Sequence, residues 1–245
     1  LSIDKNSSPK FSIITATFNS ADTIENCLDS ISTQTYYNIE HIIIDGKSTD
    51  DTILKINKHS FKPSIIISEP DNGIYEALNK GIENSTGDII GFLHSDDFFP
   101  NKHVVKKIID EFKKSHTICA VYGDCEFFSK VDSGRTIRKW KSRHFNSNLI
   151  TSGWMPPHAA LYVKSEIIKS INGFDSSFKI SGDYMCILQM FTQKNFKAKY
   201  LPEVLLKMRM GGASNKSLSN IVLKTREDWK ALRLNKFGFL ASIKI

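Results

Sequence analysis

Residues 40–45 read Glu-His-Ile-Ile-Ile-Asp, an apolar β-branched run that ends on a carboxylate. Such a run is typical of a strand buried on both faces, as in a parallel sheet that helices cover. The polar stretch Gly-Lys-Ser-Thr-Asp-Asp follows, and a helical pattern begins near Thr52. This stretch therefore predicts one strand–helix unit of an α/β fold.

The same pattern recurs on both sides of this stretch. Runs typical of strands lie at residues 11–16, 64–68 and 88–93, and helical spacing follows each of them. Four strand–helix units predict a mostly parallel, doubly wound sheet with helices on both faces. Ligands of such sheets bind beyond the carboxyl ends of the strands. The loops expected there are TFNS (17–20), DGKSTDD (45–51), SEPDNG (68–73) and HSDD (94–97).

The second half of the chain is less regular. Strands are predicted at residues 118–123, 126–131, 158–163, 198–201 and 204–210, and helices at 181–194 and 216–235. No linker rich in Pro, Gly or Ser separates the halves. We therefore expect a single domain over residues 1–215, followed by a basic amphipathic helical tail over 216–245.

Composition narrows the class of protein. A chain of 245 residues with 40% hydrophobic residues is expected to fold, and its apolar runs are too short to span a bilayer. The opening LSIDKNSSPK lacks the apolar core of a secretory signal. Cys27, Cys119, Cys125 and Cys186 are scattered without metal-type spacing. We expect reduced thiols and a cytoplasmic protein.

The net charge of +7 is unevenly placed. Residues 135–144, RTIRKWKSRH, form one basic cluster, and the chain from Lys207 onward is also basic. Either cluster can be a solvated face. For the tail, and for residues 236–245 in particular, contact with a membrane surface is the alternative.

Adjacent carboxylates, Asp96 and Asp97, end the apolar run of residues 88–93. They can simply cap the turn before Pro100. However, a hard divalent cation that also binds diphosphate oxygens would explain two like charges at a strand end.

Other polar and aromatic residues leave alternatives open. Asp45 suits a ligand contact or a helix cap, and Phe18 suits stacking on a nucleobase or packing in the core. Asp183 begins a helix, where an acid can be a cap or a general base. His158 follows two prolines, and a lone histidine is more often structural than catalytic.

Two blocks carry a family resemblance. They are SIITATFNSADTIENCLDSISTQTYYNIEHIIIDGKSTDDT (12–52) and SEPDNGIYEALNKGIENSTGDIIGFLHSDD (68–97). Over roughly residues 11–215 the chain resembles the family 2 glycosyltransferases, whose fold is called GT-A. The sequence GIYEALNKG (73–81) is especially similar to that of the family members that build bacterial O-antigen and capsule polysaccharides.

The resemblance implies an inverting, metal-dependent sugar transfer. The donor would be a nucleotide-diphosphate sugar, and the resemblance to the family favours UDP as its nucleotide. The acceptor would be a hydroxyl of a glycan or lipid-linked glycan. The Gln-x-x-Arg-Trp motif of processive members is absent, so one sugar is expected per encounter. A nucleotide-binding half is expected at about 10–123 and an acceptor half at about 124–215. Nucleic acid is not an expected partner.

Site residues follow from the match of motifs. The implied nucleotide-binding residues are Thr15, Thr17, Phe18, Asp45, Asp71, Ser95 and Asp96. Asp96 is the first choice as ligand of Mn²⁺ or Mg²⁺, with Asp97 and His94 beside it. Asp183 matches the catalytic base. The residues implied near acceptor or diphosphate are His158, Arg209, Gly211, Gly212 and Ser214.

Three residues depart from the family pattern. His94 replaces the first Asp of the acidic motif, and Gly46 replaces the second Asp of the base-binding loop. Gly182 replaces the Glu before the base, which is expected to loosen the surroundings of Asp183. A module that binds nucleotide-sugars without transfer is one alternative. A sugar nucleotidyltransferase is disfavoured because its Gly-rich phosphate loop is missing, and a dehydrogenase because G-x-G-x-x-G is missing.

Overall fold

The computed structural model describes residues 8–129, 135–150, 154–210, 218–235 and 237. Its first half alternates strands and helices. The strands are β1 (Phe11–Thr17), β2 (Ile39–Asp45), β3 (Ile65–Ser68) and β4 (Ile89–Phe92). The helices are α1 (Ile24–Ser32), α2 (Thr52–Lys58), α3 (Ile74–Asn84) and α4 (Val104–Lys114). These strands pair in parallel in the order β3-β2-β1-β4, so the predicted α/β fold is confirmed.

The second half extends the same sheet. Its strands are β5 (Ala120–Phe128), β6 (Thr136–Trp140), β7 (Leu161–Lys164) and β8 (Ala198–Arg209). Its helices are α5 (Ser147–Ile150), α6 (Ser165–Ser170), α7 (Gly182–Phe191) and α8 (Leu218–Leu234), with a 3₁₀ turn at His158–Ala160. The order continues β4-β7-β5-β6, and β8 pairs with β5. Because β7 runs antiparallel to β4 and β5, the sheet is mixed.

In two places, two consecutive predicted strands form a single strand in the structure. Residues predicted as separate strands around Asp124 form β5, and those on either side of Pro202 form β8. The pairing of β5 with β8 shifts register beside Asp124, where the irregularity accommodates a proline without an N–H group. Tyr200 also donates a hydrogen bond to Asp124 over 2.7 Å.

The prediction that His158 begins a strand was wrong. His158 lies in the 3₁₀ turn, and β7 begins only at Leu161. Pro157 precedes that turn with φ −57°. The turn lifts His158 out of the sheet, toward the first turn of α7.

Apolar side chains cover both faces of the sheet. Ile14, Ile42 and Ile44 pack on one face with α3 and α7, whereas Phe11 and Ile13 pack on the other with α1 and α4. Successive residues of a strand point to opposite faces, so an unbroken isoleucine run fills both layers. This arrangement leaves the strand ends as the places where polar groups collect.

The amino ends of β1, β2 and β4 meet at a closed polar cluster. The buried carboxylate of Glu40 accepts hydrogen bonds from Lys10 Nζ and Ser12 Oγ, each over 2.6 Å. Thr86 donates from its N–H over 2.9 Å and from its hydroxyl over 2.7 Å. Burial works to raise the pKa of Glu40, but these donors outweigh it and lower the pKa to about 2.

The cysteines are free thiols, and Cys27, Cys125 and Cys186 are buried in the core. Burial raises the pKa of each of these three thiols. Within the described ranges, no helix combines the length and the apolar character needed to cross a bilayer.

Candidate active site

The carboxyl ends of β1 and β2 form the first wall of the site. The ring of Phe18 is 60% exposed, so it is not a core side chain. Gly46 lies beside it, and a Cβ added at Gly46 would stand 2.7 Å from an oxygen of Asp71 and 3.5 Å from the Phe18 ring. The carboxylate of Asp71 therefore occupies the space that a side chain at position 46 would need.

Asp45 lies behind this wall. It is fully buried, and its oxygens accept hydrogen bonds from Ser48 N over 3.0 Å, from Ser68 Oγ over 2.6 Å and from Ser48 Oγ. It does not cap α2, because Asp50 accepts the hydrogen bond from Thr52 N over 3.0 Å. Asp45 thus orders the loop after β2, and its direct contact with a nucleotide stays a prediction.

The remaining residues of the predicted nucleotide site lie at different depths. Thr15 is buried and bonded to His41 over 2.9 Å, below the rim of the sheet. Thr17 is buried at the rim; its hydroxyl has no hydrogen-bond partner among the described residues, and its carbonyl accepts from Gly46 N over 2.9 Å. Ser95 bonds Ser20 over 2.8 Å and so ties the loops after β1 and β4 together.

The adjacent carboxylates after β4 have unlike environments. Asp96 is exposed, whereas Asp97 is 3% exposed and turns toward β8. One oxygen of Asp97 accepts a hydrogen bond from Arg209 N over 3.2 Å, and the other has no partner among the described residues. Burial, and then the charge of Asp96, raise the pKa of Asp97 well above its usual range.

An ion pair forms the opposite wall. His158 Nδ1 lies 2.9 Å from Asp183 Oδ2, and Tyr184 N donates to Asp183 Oδ1 over 2.8 Å. Burial works to raise the pKa of Asp183, but His158 and this N–H group outweigh it and lower the pKa. Burial likewise opposes the charge on His158, yet Asp183 raises the pKa of the imidazole. Asp183 therefore carries its negative charge at neutral pH.

His94 connects the two walls. Burial lowers the pKa of its imidazole, and the positive charge of His158 lowers it further, against the opposing charges of Asp96 and Asp183. These groups are close enough to interact, so the end of β4 lies near the start of α7. The Nδ1 atom of His94 is buried and has no hydrogen-bond partner within the described ranges.

Tyr75 on α3 is a site residue that the sequence did not reveal. Its hydroxyl donates to the carbonyl of Ile180 over 2.5 Å and lies 3.5 Å from Asp183 Oδ1. A Cβ at Gly182 would stand 2.7 Å from the Tyr75 ring. The expected loosening around Asp183 is therefore wrong, because the aromatic ring fills the space that Gly182 leaves.

Glu227 on α8 is the second residue that was missed. Its buried carboxylate accepts three backbone hydrogen bonds, from Lys179, Ile180 and Ser181, each over 2.8 Å. Together with Tyr75 it holds the segment that leads into Asp183. An acid amid the helical pattern of residues 216–235 was the available signal, but its partners could not be read from spacing.

The carboxylates suit a cation that brings other ligands with it. Over the described part of the chain, no three His, Cys, Asp or Glu side chains are placed to hold a metal ion. The exposed Asp96 and the unpartnered oxygen of Asp97 offer one or two carboxylates. Mg²⁺ typically binds one or two carboxylates and completes its shell with phosphate oxygens and water. The residues therefore fit an ion that arrives with a diphosphate.

Arg209 lies at the end of β8, where its guanidinium stands 5.3 Å from the centre of the Phe128 ring. Gly211, Gly212 and Ser214, which were also predicted near the diphosphate, lie outside the described residues.

A mixed α/β sheet with an acidic loop and a carboxylate–imidazole pair at one edge belongs to the GT-A class of fold. Residues 12–167 match the model of the family described as Glycosyl transferase family 2. The chain therefore belongs to this family and is a glycosyltransferase.

Curated relatives agree with this assignment. An uncharacterised glycosyltransferase of Mycobacterium tuberculosis is 31% identical over 185 residues, covering 75% of this chain and 69% of that protein. A PGL/p-HBAD biosynthesis glycosyltransferase of Mycobacterium bovis is 27% identical over 222 residues, covering 88% of this chain and 83% of that protein.

Solved structures share the fold. Residues 1–349 of Staphylococcus aureus TarS in complex with UDP-GlcNAc superpose with a TM-score of 0.71 at 19% identity, over 92% of this chain and 65% of that one. The chain spans 39% of the longer TarS structure. The mannosyltransferase PcManGT from Pyrobaculum calidifontis, in complex with GDP-Man and Mn²⁺, gives a TM-score of 0.66 at 20% identity, over 98% of this chain and 70% of that one.

Proposed function

We propose that the protein transfers a sugar from a UDP-sugar to a hydroxyl of a glycan or lipid-linked glycan, with inversion at the anomeric carbon and one sugar per encounter. The observation that carries the proposal is the Asp183–His158 pair, whose Oδ2 and Nδ1 atoms lie 2.9 Å apart and which lies close enough to interact with His94 at the end of β4, beside Asp96. This arrangement offers a base on one wall and a place for a donor diphosphate on the other.

The nucleoside would bind at the wall formed by Phe18, Gly46 and Asp71. The exposed Phe18 ring offers a face on which a nucleobase can stack. Asp71, whose Oδ1 accepts from Gly73 N over 2.9 Å, offers acceptor oxygens beside that ring. UDP-sugars are the first donors to test, because TarS was solved with UDP-GlcNAc. GDP-sugars are the second, because PcManGT was solved with GDP-Man.

A divalent ion, Mn²⁺ or Mg²⁺, would bind at Asp96, with Asp97 and His94 beside it. When bound, such an ion supplies positive charge to the diphosphate that leaves. Arg209 stands next to this place through its backbone bond to Asp97, and we assign its guanidinium to the diphosphate.

Asp183 would act as the general base. Its carboxylate takes the proton of the acceptor hydroxyl while the hydroxyl oxygen bonds to the anomeric carbon. The bond from that carbon to the donor phosphate breaks at the same time, and the nucleoside diphosphate leaves with the electron pair. His158 keeps Asp183 ionised, and Tyr75 and Glu227 hold the segment before it in place.

The acceptor and the setting are further parts of the proposal. We assign the chain to the synthesis of a bacterial cell-surface polysaccharide of the O-antigen or capsule type, in the cytoplasm and in contact with the inner membrane. We place the donor-binding half at about residues 10–123 and the acceptor half at about 124–215. The sequence GIYEALNKG (73–81) supports the branch, and its tyrosine is the residue that contacts the segment before Asp183.

A donor panel tests the proposal. UDP-, GDP- and dTDP-sugars are incubated with the full chain and a lipid-linked saccharide acceptor, with Mn²⁺, Mg²⁺ or EDTA. Nucleotide release and glycosylated product are both measured, and NMR gives the anomeric configuration. We expect one nucleotide class to give inverted product that EDTA suppresses. Tight donor binding without any transfer would instead support a binding module, and retained configuration would rule out Asp183 as an inverting base.

A further inference from the structure

The helix α8 separates its charges by side. The acids of α8, Glu227 and Asp228, are both buried. Glu227 accepts the three backbone hydrogen bonds of the segment before Asp183, and Asp228 pairs with Lys224 over 2.5 Å. The side of α8 that faces solvent is therefore without a negative charge.

That outer face is both apolar and cationic. Val222 is 51% exposed and Leu234 is 54% exposed, and Ile221 and Trp229 are exposed as well. These residues share one open surface with Arg226, Lys230 and Arg233. No described acid pairs with Arg226 or Arg233. We call the set Ile221, Val222, Thr225, Arg226, Trp229, Lys230, Arg233 and Leu234 the outer face.

We propose that the outer face of α8 docks on a lipid bilayer that contains anionic headgroups. A helix with Trp and aliphatic side chains between cations lies in the bilayer interface, because the apolar groups enter the acyl boundary while the cations meet lipid phosphates. Each cation near an anionic bilayer strengthens binding by about fivefold. The proposal rests on the membrane contact of the proposed function and names the surface that makes it, and it does not depend on which donor is used.

Other occupants of this face match it less well. A second copy of the chain that packed face to face would bring Arg226, Lys230 and Arg233 against the same cations, which is repulsive. Residues 236–245 contain Lys236 and Lys244 and no acid, so they offer no complementary charge. We therefore assign the contact to α8, which lies within the tail (216–245) for which a membrane surface was the alternative.

Vesicle flotation of the full chain tests the proposal. The probes are phosphatidylcholine vesicles with and without about 30% phosphatidylglycerol, which gives the bilayer a negative surface potential. The double variant R226E/R233E should bind the anionic vesicles at least about twenty-five-fold more weakly, since the loss of each cation costs about fivefold and each new carboxylate adds repulsion. The variant V222S, which removes apolar contact alone, should also bind more weakly. The matched control is K58E/K113E, which makes the same charge change at two exposed lysines on α2 and α4 and should stay within twofold.

A second readout locates the contact. The indole emission of the native chain should shift to the blue on anionic vesicles, and W229F should lose that shift while Trp140 and Trp154 remain. The result expected is binding that needs anionic lipid, falls with salt and is lost in R226E/R233E. No flotation of the native chain, equal loss in both double variants, or a dimer that only R226E/R233E disrupts would each overturn the proposal. Nucleotide release measured without vesicles should be unchanged in R226E/R233E, which separates this proposal from the proposed function.

Discussion

The two ends of the central strands hold buried carboxylates in opposite states. At the amino ends, Glu40 accepts hydrogen bonds from Lys10, Ser12 and Thr86 on both oxygens. At the carboxyl ends, one oxygen of Asp97 is buried without a partner among the described residues. The same strands thus end in a saturated cluster on one side and an incomplete one on the other.

This difference separates a structural cluster from a binding site. A buried polar group without a partner costs about 1–3 kcal/mol. At the carboxyl ends, the described residues with a buried side-chain atom in this position include Thr17, His94 and Asp97. A catalytic role or a bound water or ion is among the reasons for such a group in a folded protein. Thr17, His94 and Asp97 all lie where the strands end in polar loops, which supports a ligand site there, whereas the Glu40 cluster supports only the fold.

The largest expected effect is a loss of activity from a substitution that leaves the fold intact. Asp183→Asn should lower kcat by about a thousandfold, because an amide cannot take the acceptor proton. The control is Asp110→Asn, the same isosteric change on the exposed side of α4, where Asp110 pairs with Lys106 over 2.6 Å. Initial rates of nucleotide release at saturating donor measure both. A rate for Asp183→Asn within tenfold of the native rate would remove it from the role of base.

The next prediction concerns the Glu40 cluster, where a substitution should lower stability and leave the candidate active site intact. Glu40→Gln should destabilise the protein by about 3 kcal/mol at pH 7, because the pKa of Glu40 lies near 2 in the folded chain and at an ordinary 4.5 when unfolded. This contribution is present above the unfolded pKa and is lost as the pH falls through the folded one. Urea unfolding at pH 7 and pH 3.5 should show a smaller difference at the lower pH.

The activity of Glu40→Gln tests whether the Glu40 cluster affects catalysis at the other ends of the strands. At temperatures where the variant is folded, its kcat should match the native value, since Glu40 lies at the opposite edge of the sheet from Asp183. A stability difference that grew on acidification would contradict the assigned pKa shift. A large loss of kcat in the folded variant would show that the two edges are coupled.

The adjacent carboxylates provide a third test. Asp96→Asn should lower kcat/KM for the donor by about a hundredfold and raise the concentration of Mn²⁺ needed for half-maximal rate. Asp97→Asn should cost less than tenfold, because the amide oxygen still accepts the hydrogen bond from Arg209 N. Metal titrations of the two variants measure this. The reverse ranking would make the buried Asp97 the principal ligand.

The smallest expected effect concerns Glu227. Glu227→Gln replaces one acceptor oxygen with a donor that faces a backbone N–H, so the segment 179–181 should lose order. We expect kcat to fall about tenfold while the KM for the donor is unchanged, since only the base is displaced. Glu83→Gln on the exposed side of α3 is the control. A rise in donor KM with unchanged kcat would show that Glu227 does not position the base.

Much of the first half could be predicted because its signals are local. The isoleucine runs at residues 42–44 and 65–67 predict strands from their own residues, and the polar loops after them fall at the edge where they were expected. The extent of β8 could not be predicted in this way, because Pro202 interrupts the local pattern and only pairing with β5 keeps the strand continuous.

The sequence by itself determined the α/β alternation and the acidic loop of residues 94–97, because each depends on neighbours along the chain, and the family motif singled out Asp183 as the proposed base. Only the tertiary structure decided that His158 pairs with Asp183, that Asp97 is buried while Asp96 is exposed, and that Glu227 holds the segment before Asp183. These partners come from elements far apart in the chain. Burial and hydrogen bonding between them depend on how the elements pack, which no pattern of spacing contains.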